Sequence, residues 1–150
     1  MKNLILLILN ISFIFSFSSA QNNNNDVYFK INDSIFAKSS DFECYDTLNH
    51  TVQFKLEKRL SIESLKIPVN GLSFSVFVNR EKIFVGKFFS PESSYSCDCI
   101  VLFRTIPDSA IPPLYLNLGY PTEKFFTGTD KRNDHRIIET LVSRKVPLKS

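Results

Sequence analysis

Glycine, histidine and cysteine are scarce in this chain, and tryptophan is missing. Four glycines in 150 residues leave little material for a loop that cradles phosphate, and neither a phosphate loop nor a dinucleotide-binding glycine pattern occurs. The two histidines, His50 and His135, sit in the polar stretches LNHT and NDHR, where a surface turn and a helix start are expected. No H-E-x-x-H zinc motif and no G-x-S-x-G elbow accompanies them. An excess of one charge is also lacking. Lys and Arg number 18 against 15 Asp and Glu, a net of +3. That balance gives no run of cations in the sequence, so neither a nucleic-acid nor a polybasic membrane partner is expected. The densest charged stretch, residues 129–136, alternates acids and bases and reads as a solvated turn or helix start.

Only one long apolar run exists, and it lies at the amino end, MKNLILLILNISFIFSFSSA. Lys2 precedes it, and Ser18, Ser19 and Ala20 close it with small residues, the three-part layout of a secretory signal peptide. The run falls short of the ~20 residues that cross a bilayer. Residues 1–20 are therefore expected to be cleaved, which removes one lysine and no acid. The product would be secreted or extracellular, periplasmic or cell-surface in a bacterium, with no membrane attachment. Residues 21–26, QNNNND, are low in complexity and are expected to form a disordered spacer. Residues 27–150 then suffice for a single β-rich domain.

What the body does contain is phenylalanine, 15 in the chain, spaced with period two. Residues 71–89 alternate twice around Asn79-Arg80-Glu81-Lys82. A four-residue turn there sets Val78 opposite Ile83, Val76 opposite Val85 and Phe77 opposite Phe84. One face would be aliphatic. The other would carry Phe77, Phe84 and Phe88 as an apolar interaction patch, unless a second layer covers them. Residues 27–31 and 34–38 flank the turn dipeptide Asn32-Asp33. Residues 51–56, 96–105 and 114–120 also read as strands, and 60–67 more weakly. The 96–105 strand would place Cys97, Cys99, Val101 and Phe103 on the core face. The last segment, DHRIIETLVSRKV, changes to helical spacing, with Asn133 or Asp134 as cap. Together these predict an all-β sandwich of about 7–8 short antiparallel strands with one short C-terminal amphipathic helix; α+β is the alternative.

The cysteine pattern is odd in number and in spacing. Cys97 and Cys99 point to one side of an extended strand about 6–7 Å apart, too far and too parallel to bond each other. In an oxidising compartment one of them is expected to pair with Cys44. The leftover thiol would be buried and inert, would link chains as a disulfide-linked dimer, or would react. Neither C-x-C nor the histidines supply zinc-site spacing, so no metal and no cofactor is expected. Asn32 and Asn49 head glycosylation triplets in turns. The function these features favour is a secreted, non-enzymatic binding domain for a protein or a surface glycan. The alternatives are a small cysteine-dependent enzyme using His50 or His135, with or without Asp98, and a crosslinked component of a matrix or envelope.

Overall fold

Asn32 and Asp33 both adopt left-handed backbone, φ 48° and 63°, the geometry of a two-residue hairpin loop whose twist matches its strands. They join β1 (Val27–Ile31) to β2 (Ser34–Lys38), as the dipeptide predicts. The computed structural model describes residues 25–103 and 113–150. The expected signal peptide and the first four residues of the expected spacer lie outside these. A short 3-10 turn, Ser39–Asp41, leads to β3 (Phe42–Asp46) and β4 (Thr51–Phe54). The first helix, α1, is Leu56–Glu63, followed by the hairpin β5 (Leu72–Val78) and β6 (Glu81–Phe89). Then come β7 (Cys97–Phe103), β8 (Leu114–Tyr120), α2 (His135–Ser143) and a two-residue β9 (Leu148–Lys149).

The strands of the described residues form one sheet of nine in the order β2-β1-β5-β6-β7-β8-β4-β3-β9. The content is mostly β and fits an all-β or an α+β description. The pairing is not all antiparallel as expected, because β6–β7 and β3–β9 run parallel. The β6–β7 connection is only residues 90–96. A parallel return of about 20 Å by so few residues leaves no room for the usual crossover helix. The segment instead runs over the sheet, where the Tyr120 hydroxyl donates to the Ser93 carbonyl at 3.0 Å. Beneath it the Phe89 and Tyr120 rings lie 4.9 Å apart, and Tyr120 stacks on Phe103 at 5.8 Å.

The main core lies on the opposite face. Phe29 of β1 touches Phe42 of β3 and Phe54 of β4, so the sheet rolls until strands from its two ends share one interior. Helix α2 seals that interior with Ile137 and Leu141, both buried. Asp134 caps α2, its carboxylate accepting from the Arg136 N–H at 3.1 Å. Lys145, at φ 58°, ends it in the left-handed conformation, and the Val146 N–H returns to the Leu141 carbonyl at 2.9 Å.

Four expectations change. The 71–89 turn is two residues, Asn79-Arg80, with Val78 opposite Glu81, and a bulge sets Val76 opposite Phe84. Phe84 and Phe88 therefore face the core, and Val85 faces outward. In β7 the main-core side chains are Ile100 and Leu102, while Val101 is buried on the other face. Residues 60–67 are not a strand. Leu56–Glu63 is helical, because Leu, Glu, Lys and Arg favour helix and only Ile62 is buried there. Of the expected spacer, Asn25 and Asp26 are tied down. The Asp26 N–H donates to Asn79 Oδ1 at 3.1 Å and its carboxylate accepts from the Ser39 N–H at 3.2 Å.

Candidate functional site

The outer face of β2, β1, β5 and β6 combines cations and rings. Cross-strand pairing sets Lys38 beside Tyr28, Tyr28 beside Phe77 and Phe77 beside Lys82 in one row. Tyr28 and Phe77 stack with centroids 5.3 Å apart and planes 3° from parallel. The Lys30 ammonium sits over both rings, at 5.8 Å from Tyr28 and 5.1 Å from Phe77, and Lys82 sits 5.8 Å from Phe77. Such ammonium–ring contacts fix long, flexible side chains in place. In the next rows Lys30 faces Ser75, Ser75 faces Val85, and Ser73 faces Lys87. No Asp or Glu points outward from these four strands. Their one acid, Glu81, stands opposite Val78 and pairs with Arg136 of α2. Sequence reasoning missed this face. Its lysines are dispersed along the chain between 30 and 87, and only the β1–β5 pairing gathers them.

Beside it, where β6 meets β7, lies an open groove of about 490 Å³ walled by Val85, Lys87, Cys97, Cys99, Phe126 and Lys131. Cys97 and Cys99 are disulfide-bonded to each other with Cα atoms 5.3 Å apart, and Cys44 is free and buried. This corrects the expected bond to Cys44. The reason is a bulge in β7: three residue steps from Cys97 to Ile100 oppose two from Tyr120 to Leu118. The strand is thereby shortened locally and the two side chains can meet. The bridge restrains little chain. A loop this short removes only about 1.6 kcal/mol of unfolded-chain freedom, against about 4 kcal/mol for the roughly fifty-residue loop a bond to Cys44 would close.

Asp98, between the two cysteines, is locked. Its carboxylate accepts from the Thr127 N–H at 2.8 Å and from Thr127 Oγ1 at 2.5 Å. These donors hold its pKa below the ordinary aspartate value. Cys44 lies elsewhere, its Sγ donating to Gln53 Oε1 at 3.4 Å.

Neither histidine joins a cysteine among the described residues. His50 stands at φ 51° between β3 and β4. Burial, with the nearby Arg132 charge, holds its pKa below the ordinary value. His135 is exposed at the start of α2. Two ion pairs form within the charged stretch around it. Arg132 forks onto both oxygens of Asp130, and Arg136 onto both of Asp134. Among the described residues no group of three or more His, Cys, Asp or Glu is placed to hold a metal ion, and no helix is long and apolar enough to cross a membrane.

The expected patch of Phe77, Phe84 and Phe88 is dispersed, since only Phe77 remains at the surface, half-buried under its lysines. Asn32 and Asn49 are both exposed in turns, and Asn49 Nδ2 donates to Asp46 at 2.9 Å. No family model, no curated protein and no solved structure matches this chain.

Proposed function

We propose that the chain is an exported, non-enzymatic binding module whose outer sheet face holds a linear anionic polysaccharide. We read the rolled sheet as sandwich-like, with this broad face left outside. The observation that carries the proposal is the row Lys38–Tyr28–Phe77–Lys82, with Lys30 above it and no outward carboxylate on four strands. Lys38 and Lys82 close the two ends of a row three strand spacings long, about 14 Å, with Lys30 between them, a spread of cations that an extended acidic polymer can follow. The ring faces are already taken by ammonium groups, which disfavours base stacking and with it single-stranded nucleic acid. The export signal in the sequence fits a ligand outside the cell.

The test is retention of the full chain on immobilised heparin, with single-stranded DNA, poly-glutamate and anionic vesicles as competitors. Heparin is expected to bind and to release as salt rises above about 0.15 M, where exposed charges are screened. Lys38→Ala with Lys82→Ala, both at exposed positions, is expected to weaken binding about tenfold. Failure to bind heparin, or equal binding to DNA, poly-glutamate or vesicles, would overturn the polysaccharide assignment.

A further inference from the structure

We propose that Cys97–Cys99 is a thiol-exchange site, whose co-reactant is a low-molecular-weight thiol bearing carboxylates. The inference stands apart from the polysaccharide reading and rests on different residues. A bridge between cysteines two apart ties down almost no chain, while the cysteine that could have made a long-range staple, Cys44, stays buried and unpaired. The bridge is accessible. Both half-cystines are only half-buried, Asp98 between them is exposed, and all three open on the groove between β6 and the segment 126–131. Accessible, short-loop disulfides are the ones that exchange.

The surroundings suit reversible chemistry. The bulge in β7 and the Asp98–Thr127 clamp belong to the backbone and to a carboxylate. Neither depends on the sulfur–sulfur bond, so the two sulfurs remain neighbours after it breaks. Lys131 lines the same groove, where its ammonium group favours a departing thiolate and attracts a carboxylate-bearing reagent.

The step balances as follows. A thiolate, RS⁻, attacks one Sγ. The bridge bond breaks and its electron pair leaves on the other Sγ as thiolate, which takes a proton from solvent. A second RS⁻ attacks the R-side sulfur of the mixed disulfide and releases the first Sγ. Two RSH are oxidised to RSSR, and the cystine is reduced to two thiols. The reverse sequence re-forms the bridge.

The experiment equilibrates the full chain in glutathione buffers of graded oxidised-to-reduced ratio, alkylates under native conditions, and reads masses after digestion. The expected result is a reversible transition confined to Cys97 and Cys99, with Cys44 unmodified and unchanged circular dichroism. Cys99→Ser should trap one glutathione on Cys97. Lys131→Ala is expected to slow exchange with glutathione about threefold while leaving 2-mercaptoethanol unaffected. A bridge that resists millimolar glutathione in the folded chain would overturn the proposal. So would unfolding on reduction, or a bond from either cysteine to Cys44. Equal slowing of both reagents, or of neither, would overturn the carboxylate-bearing co-reactant.

Discussion

Phe29 of β1 meets Phe54 of β4 edge to face, with ring centroids 6.4 Å apart, although β5, β6, β7 and β8 lie between those strands in the ladder. The contact exists because the sheet rolls. Both rings are buried, and Phe29 also touches Phe42 and Phe74. Phe29→Ala is expected to lower stability by about 3–5 kcal/mol in urea unfolding. In the double variant with Phe54→Ala the losses should fall short of additivity by about 1 kcal/mol. Strict additivity would mean that the two ends of the sheet do not share a core.

Gly86 marks where β6 and β7 approach too closely for a side chain. A Cβ there would run into the Ile100 carbonyl oxygen and lie 2.5 Å from the Phe74 ring. The carbonyl cannot yield without moving the parallel ladder. Gly86→Ala is expected to cost about 2–3 kcal/mol, measured by thermal or urea unfolding. A neutral result would argue against the parallel register of Gly86 with Ile100.

Asn79 ties the β5–β6 turn to the start of the domain. At φ 58° its side chain accepts from the Asp26 N–H at 3.1 Å and donates to Asn25 Oδ1 at 3.1 Å. Asn79→Ala loses both bonds and keeps the strained backbone, at an expected cost of about 1–2 kcal/mol. Asn79→Gly loses the bonds but relieves the backbone, and should recover about half. Cleavage near residue 26 by a protease should speed up in both variants.

Asp134 makes part of the stability sensitive to acid. Its fork to Arg136 and the Arg136 N–H hold its pKa at about 2, below the ordinary 3.8. The folded value is the lower one, so the contribution is complete above the ordinary pKa and is lost as pH falls through 3.8 towards 2. Asp134→Ala also removes a helix cap and should cost about 1 kcal/mol at neutral pH. Between pH 4 and 2 the variant should lose less stability than the parent chain, since the group that titrates is gone. Parallel pH–stability curves would contradict the assignment.

Much of the local structure was legible in the sequence. The dipeptide Asn32-Asp33 fixed the first hairpin, since both residues tolerate left-handed backbone, and the change of period after residue 133 marked α2 and its Asp134 cap. The rest depended on what strands do to each other. A single bulge in β6 reversed which of Phe84 and Val85 faced the core, because side chains alternate with period two. A second bulge, in β7, brought together two cysteines that an ideal strand holds apart. Neither bulge leaves a mark in composition. The lysine face was hidden for a related reason. Charge counted along the chain is balanced, and only strand order collects Lys30, Lys38, Lys82 and Lys87 on one side.

The bulge in the first hairpin has a bearing on solubility. Strand β2 is one border of the sheet, and a border strand with free backbone groups invites another chain to add on. Here the ladder is interrupted between Ile35 and Ala37, and the freed Phe36 carbonyl is taken by the Lys58 ammonium of α1 at 2.7 Å. The other border, β9, offers only two residues. A protein whose exposed ladders are broken on one side and two residues long on the other gives a neighbouring copy almost nothing to template on. It should stay monodisperse at concentrations where a sheet with longer, flatter margins would begin to form fibres.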